Sequence, residues 1–519
     1  MQRHLTWILI LLGLPAWMRM STSAATSSLR VALLTDVEGN WDYVRNVARQ
    51  SSCLQLTTSG QDETLELKDD CLLVFGGDAG DKGDHTLKCY EQLVRLKKRH
   101  PERVVLLVGN RDVNKMRLTS ELHDSEMDLQ SMAKEILEGP TWVPKDKRFT
   151  LKKFLGGQLE KGDEEAGDDE LEAVNSKVNR LKWMLEHTMG AQGDFERRRA
   201  ELSLRQAVGD RNEVTDDAVV KSYMDSVEEG GVLRDYLLHG SLAFVTHQTL
   251  FVHGGIINGD GPAGLSALGR VPDQPSKRFE SVSEWVDKLN AWYRSQVREW
   301  IEHPTWNEDR ATRGGNELLK YVLPDYTGSV VMGRHLLPSG MPTPVPEEIA
   351  SLLSESGIRR VIIGHTPHGN CPTVVRQHQQ QEGTCATDRN SNAVTFEDVI
   401  MCDTSYSDAR APDNRGNAAS ELVVEPSGRV LVNGLLEDGR RISYDAQEDP
   451  WVGRWLNDGD MVKARVVDDD FSGEDIYYLV FRVENGYSYT YHYRKIAELR
   501  EIGTKDSVSS QAVFLDPQK

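Results

Sequence analysis

No Asn-x-Ser/Thr sequon occurs in the chain, no segment repeats, and the cysteines have no zinc-finger spacing. The first absence removes glycosylation as a sign of secretion, the second removes repeat architectures, and the third removes a structural zinc module. Positive charge is also scarce, with 61 Lys and Arg against 81 Asp and Glu, a formal net charge of -20. Nucleic-acid binding driven by phosphate neutralisation is therefore not expected, short of a basic patch assembled by the fold. An acidic protein can still take an anionic substrate when metal ions supply the positive charge. Beyond the N-terminus no apolar run reaches membrane length, so no further span is expected.

What is present begins with "MQRHLTWILILLGLPAWMRMSTSAAT": a basic start, an apolar run from Leu5 to Leu14, and small residues from Ser23 to Ala25. This is the layout of a signal peptide covering residues 1–25 and cleaved after Ala25, which implies the secretory pathway or secretion; a signal anchor is the alternative. The 6 cysteines form an even count suited to an oxidising compartment. Cys371 and Cys385 bracket a polar Gln/His-rich loop and are the expected disulfide. Cys71 and Cys402 lie in apolar strands and are expected as buried thiols.

With 519 residues there is ample length for a large core. Apolar, β-branched runs recur and each ends in a polar cluster: "RVALLTDVEGN", "CLLVFGGDAGDKG", "RVVLLVGNRD", "TLFVHGG", "VIIGHTPHG" and "VIMCDTSYSD". Between the first three lie helical spacings over Trp41 to Gln50 and His85 to His100. This alternation predicts an α/β fold, a layered mixed β-sheet core flanked by helices. The sheet is mixed because "LAFVTHQTLFV", Leu242 to Val252, reads as a hairpin turning near His247 and Gln248. Residues 26–420 would form this core, with a helical insertion over about 113–240 that either decorates it or caps substrate access. The acidic run Glu160 to Glu172 reads as a solvated loop. Ser283 to Ile301 reads as a helix with a packing face of Trp285, Leu289, Trp292, Val297 and Trp300. Residues 421–519 alternate in polarity and predict a β-rich C-terminal region.

The strand ends carry side chains of one kind: Asp36 and Glu38; Asp78 and Asp81; Asn110 and Asp112; His253; His365 and His368. Any one cluster is ordinary turn chemistry. Carboxylates, an amide oxygen and imidazoles on loops leaving one sheet are what hard divalent metals require. Two ions about 3.5 to 4 Å apart can clamp a phosphate and activate a water.

In order, "DVEGN", "GDAGDKG", "GNRD", "HGG" and "GHTP" resemble the motif set of the calcineurin-like metallophosphoesterase superfamily, and its phosphoprotein-phosphatase-like branch in particular. The resemblance spans Asp36 to His365 and excludes the helical insertion and the C-terminal region. It implies that Asp36 ligates a first metal, that Asp78 bridges two, and that Asn110, His253 and His365 ligate the second. It also implies that Asp81 orients the catalytic dyad. His368 is spaced one residue too far from His365 for the family's paired histidines, so it is a weaker ligand candidate.

Three departures alter the expected chemistry. Glu38 stands where the family has a histidine, and as an oxygen ligand to the first metal it would shift preference to Mn²⁺, with Mg²⁺ or Fe as other fits. Lys82 replaces an arginine, keeping a charge for phosphate without the bidentate fork. Arg111 replaces the histidine that protonates the leaving oxygen; a guanidinium cannot act as a general acid near neutral pH, so Arg111 is expected to bind the substrate phosphate instead. A further phosphate-binding arginine is sought among Arg310, Arg313 and Arg334, with Arg313 favoured. Asp403 is a candidate support for the site, and Asn40 is either part of its motif or a helix cap.

The expected function is a metal-dependent phosphoesterase that hydrolyses phosphomonoesters, phosphoprotein side chains included, with Asp81, Arg111 and Lys82 in the catalytic machinery. Its partner is a phosphorylated substrate, a phosphoprotein or a small phosphoester. Two other readings stand beside it: a degenerate phosphatase fold that binds phosphorylated partners, and a nucleotide or dinucleotide phosphohydrolase.

Overall fold

The computed structural model describes residues 27–60, 62–159, 167–206, 213–259, 261, 265–377, 394–404, 418–467, 476–484 and 488–505. The expected signal peptide, most of the acidic run and Cys385 lie outside them.

The strands are β1 (Arg30–Leu34), β2 (Leu54–Ser59), β3 (Asp62–Leu67), β4 (Cys71–Phe75), β5 (Val104–Leu107), β6 (Gly240–Ser241), β7 (Ala243–Thr246), β8 (Thr249–Val252), β9 (Arg360–Ile363), β10 (Thr373–Arg376), β11 (Asp398–Met401), β12 (Ala419–Val424), β13 (Val430–Leu435), β14 (Arg441–Asp445), β15 (Met461–Val466), β16 (Tyr477–Glu484) and β17 (Ser488–Lys495). One sheet runs β17-β16-β15-β14-β13-β12-β1-β4-β5-β6 and a second runs β10-β11-β9-β8-β7. β1, β4, β5 and β6 are parallel, as are β8, β9 and β11; the remaining pairs within the two sheets are antiparallel. The mixed sheet and the β-rich C-terminal region both follow the sequence expectation. The C-terminal strands extend the core sheet itself, because β12 adds directly to β1 with Ala32 opposite Val423.

Side-chain alternation explains the layering. Val31, Leu33, Leu72, Val74, Val105 and Leu107 join Phe251, Ile362 and Ile400 in one core between the sheets. Their neighbours Ala32, Leu34, Leu73, Phe75 and Leu106 point the other way into a core shared with the helices. Helix Trp41–Gln50 starts where Asn40 Oδ1 accepts the Tyr43 N–H at 3.0 Å, so Asn40 is a cap. Helix Val282–Glu302 buries Trp285, Leu289, Trp292, Val297 and Trp300, the face its spacing predicted. Between β5 and β6 the described chain is helical, with helices from Asn110–Asn114 to Val232–Leu238 and no strand. No helix among the described residues is long and apolar enough to cross a membrane.

β7 and β8 form the expected hairpin, with His247 at φ 49° and Gln248 at φ 57°. Positive φ at both turn residues gives the twist that a two-residue hairpin needs.

The cysteine expectation is corrected. Cys71 is bonded to Cys53, Cα to Cα 5.7 Å, while Cys371 is a buried free thiol, as are Cys89 and Cys402. The hairpin of β2 and β3 folds back and brings Cys53 beside the first residue of β4, a proximity that strand patterns alone do not reveal.

Candidate metal centre

β1, β4, β5, β8 and β9 all end on one side of the molecule, and their exit loops carry Asp36, Asp78, Asn110, His253 and His365 in turn. Crevices at the carboxyl ends of parallel strands are where α/β sheets bind ligands. The loops are sharply bent there. Of eight non-glycine residues with positive φ among the described residues, five are Asp36, Glu38, Asp78, Asp81 and His365. Such conformations each cost about 1–3 kcal/mol and persist only where surrounding contacts over-determine them.

Those contacts are visible. The Asp112 carboxylate accepts the N–H groups of Asp78 at 2.9 Å, Ala79 at 3.1 Å and Gly109 at 2.7 Å, and the Tyr90 hydroxyl at 2.5 Å. It thereby ties the loop after β4 to the loop after β5. Gly109 has no side chain because a Cβ would lie 2.0 Å from Asp78 Oδ1. Gly364 is similarly constrained, its would-be Cβ 2.2 Å from Asp36 Oδ2.

Ligand atoms of Asp78, His253 and His365 lie within 4.8 Å of one another. His253 Nδ1 lies 2.7 Å from the Gly76 carbonyl, an arrangement in which Nδ1–H donates and Nε2 is aimed into the pocket. Nε2 faces Asp78 Oδ2 at 3.5 Å. Burial opposes a charge on His253, but the carboxylates of Asp78 and Asp36 outweigh it and hold the imidazolium up to about 9. For Asp78 the balance is the reverse: burial pushes its carboxyl up, and His253, Arg111 and His365 pull it below the usual range. His365 is pushed well below its ordinary value, by burial first and then by the charges of His253 and Arg334. Asn110 Oδ1, His253 Nε2 and both ring nitrogens of His365 are buried without a hydrogen-bond partner. Buried polar atoms normally find partners, so the unpartnered His253 and His365 nitrogens beside the Asp78 carboxylate fit a divalent cation.

The other half of the expected centre does not fit a metal in this way. Asp36 accepts the His365 N–H at 3.1 Å on each oxygen, together with the Thr35 hydroxyl, and so serves as a clamp on the loop after β9. Burial and the neighbouring Asp78 and Glu38 push its carboxyl up to about 7, partly offset by His253 and Thr35. Glu38 Oε1 lies 3.0 Å from Lys82 Nζ and 2.9 Å from Arg111 Nε. Lys82 therefore faces a carboxylate.

Arg111 departs from its expected role as a phosphate hook. Its Nε also lies 3.5 Å from Asp78 Oδ2, its Nη1 4.0 Å from Asp81 Oδ2, and Nη1 donates to the Gly190 carbonyl at 2.8 Å. The guanidinium is enclosed by carboxylates and anchored to the helical region. Asp81 is fully buried against Lys115, whose Nζ lies 2.5 Å away. Lys115 was missed in the sequence, although it stands four residues after Arg111, on the same face of a helical turn.

Arg313 is a correction. It donates to Ser120 Oγ at 2.7 Å and Glu121 at 2.8 Å, pairs with Glu135 at 2.7 Å, and lies over the Trp306 ring. Its charge is satisfied inside the helical region. Arg310 pairs with Glu126 there. Of the three candidates, Arg334 is the one whose charge acts on His365. His368 is not a ligand either: its Nδ1 meets Thr373 Oγ1 at 2.8 Å and its ring packs on Phe481 and Tyr489. Asp403 is buried, and its carbonyl accepts the His368 N–H.

No family model and no curated protein matches the chain. Solved structures with a similar fold include a cold-active protein-tyrosine phosphatase of the psychrophile Shewanella sp., 14% identical over 81% of this chain and 84% of that one, with TM-score 0.39. A protein serine/threonine phosphatase from Saccharomyces cerevisiae is 12% identical over 79% of this chain and 81% of that one, with TM-score 0.31. A metallophosphoesterase from Sphaerobacter thermophilus is 12% identical over 78% and 87%, with TM-score 0.28. Likenesses this distant decide nothing about chemistry, which rests on the residues above.

Proposed function

We propose that this chain is a metal-dependent phosphoesterase of the calcineurin-like superfamily that hydrolyses phosphomonoesters at the loops after β1, β4, β5, β8 and β9. The observation that carries the reading is the cluster of Asp78, His253 and His365, whose ligand atoms lie within 4.8 Å of one another with His253 Nε2 and both His365 ring nitrogens buried and unpartnered; Asn110 Oδ1, on the loop after β5, is likewise buried and unpartnered. These four residues would hold a divalent ion such as Mn²⁺, Mg²⁺ or Fe on two oxygen and two nitrogen donors. A bound ion there would supply Lewis-acid polarisation of a phosphoryl oxygen and a lowered pKa for a water.

The chain's own residues define the rest. Asp112 and Asp36 fix the loops, and His253 is oriented by the Gly76 carbonyl. No histidine stands at the position of Arg111 to protonate a leaving oxygen. Esters whose leaving group needs no proton, aryl phosphates such as phosphotyrosyl side chains, are therefore the favoured substrate class over alkyl phosphates. A secretory-route location belongs to the same proposal, supported by the N-terminal apolar run and the Cys53–Cys71 disulfide.

One observation favours a second reading, a phosphate-binding scaffold without turnover: the pairing of Glu38 with both Lys82 and Arg111. Hydrolysis of para-nitrophenyl phosphate by the full chain with and without Mn²⁺ separates the two. Metal-dependent turnover lost in Asp78→Asn supports the enzyme. Phosphate binding without turnover under any divalent ion supports the scaffold.

A further inference from the structure

We infer that the centre takes a single divalent ion, at Asp78, Asn110, His253 and His365, and that the Arg111 guanidinium stands as a fixed cation where a two-ion centre would place its other metal. This deepens the phosphoesterase reading above and rests on it.

The two carboxylates that only a first ion would use already have partners. Asp36 holds the His365 backbone N–H on both oxygens and Glu38 Oε1 holds Arg111 Nε and Lys82 Nζ, while Asp78, common to both ions, accepts the Arg111 backbone N–H on Oδ1 at 3.0 Å. Asp78 Oδ2 is the informative atom. It lies 3.5 Å from His253 Nε2 on one side and 3.5 Å from Arg111 Nε on the other. The carboxylate is thus shared between the metal-ligating histidine and the guanidinium, in the bridging relation that two ions would otherwise have to it. The two halves of the pocket differ in just this respect. Around His253 and His365 the ligand atoms lack partners, whereas around Glu38 the anionic oxygen carries two cations.

Charge points the same way. Lys82, Arg111 and Lys115 already stand against the carboxylates of Glu38, Asp78 and Asp81. A dication at the place of the guanidinium would sit against a cation that Glu38, Asp78 and the Gly190 carbonyl hold in place. Arg111 cannot lose its proton to make room. Its side chain is 13% exposed and fastened at both ends, so displacement by a metal would break its contacts to Glu38, Asp78 and Gly190 together.

The test is metal counting on the full chain, by elemental analysis after equilibrium dialysis against Mn²⁺, with the electron paramagnetic resonance spectrum of the same samples. One Mn²⁺ per chain with an isolated six-line spectrum is expected for the native protein, any further ion binding at least about 100-fold more weakly. Arg111→Gln and Arg111→His should raise the count toward two and introduce spin coupling. Two tightly bound ions in the native protein would overturn the inference, and so would a count that stays at one in both variants. A count of zero in the native protein would instead overturn the metal-dependent reading itself. The native count stands by itself should either variant fail to fold.

Discussion

Lys115 Nζ and Asp81 Oδ1 lie 2.5 Å apart with both side chains at 0% exposure, an ion pair closed off beneath the candidate metal centre. Removing one partner of such a pair leaves a buried charge uncompensated, at a cost of about 3–5 kcal/mol. Lys115→Met should therefore destabilise the protein by that amount in chemical denaturation. Asp81→Asn in the same background should recover part of the loss. A Lys115→Met cost under about 1 kcal/mol would show that the two are not coupled.

Asp112 is the second fixed point. Replacing it with alanine frees the N–H groups of Asp78, Ala79 and Gly109 in a buried place. At about 1–3 kcal/mol for each unsatisfied group, a loss of at least about 3 kcal/mol is expected, with ion affinity falling as the Asp78 loop loosens. Urea titration and Mn²⁺ binding measure the two effects. Loss of stability with unchanged affinity would separate Asp112 from the site.

His335 makes a pH prediction. It is fully buried beside Ile256, and burial pushes its pKa down to about 3 from the ordinary 6.5. A group with a depressed folded pKa and a neutral conjugate base stabilises the fold fully above the unfolded value. That contribution is lost as pH falls from 6.5 toward 3. Between pH 7 and pH 5 the loss from this residue is about 2 kcal/mol. His335→Asn should weaken the protein at pH 7 yet flatten the stability profile over that interval by about the same amount. An unchanged slope would mean that His335 takes up its proton in the folded protein as readily as in the unfolded chain, so that burial does not hold it neutral.

Several of these residues were legible in the sequence and others were not, for a physical reason. Strand exits at Asp36, Asp78, Asn110, His253 and His365 announce themselves because an apolar β-branched run followed by a polar cluster is a local pattern. The His247–Gln248 turn and the packing face of helix Val282–Glu302 are local as well. Arg313 reads like a site residue until Glu121 and Glu135, which precede it by well over a hundred positions, are seen to hold it. The Cys53–Cys71 pairing and the enclosure of Arg111 by Glu38, Asp78 and Gly190 are also tertiary facts. Lys115 was the exception, since its spacing from Arg111 was there to be read.

Leaving-group chemistry gives another prediction. With Arg111 unable to donate a proton, kcat/KM across a series of aryl phosphates should fall steeply as leaving-group pKa rises, and alkyl phosphates should be poor substrates. Arg111→His should flatten that dependence by supplying an acid. A native enzyme already insensitive to leaving-group pKa would require a proton donor elsewhere.

In the proposed reading, Asp78, Asn110, His253 and His365 hold the ion on which phosphate-ester hydrolysis depends. The decisive measurement is para-nitrophenyl phosphate turnover across a Mn²⁺ titration, comparing the native chain with His253→Gln. Saturable Mn²⁺ activation is expected in the native chain, abolished by chelation, with a fall of at least about 100-fold in the variant and the fold intact by circular dichroism. Turnover that survives chelation, or a variant as active as the native chain, would contradict it.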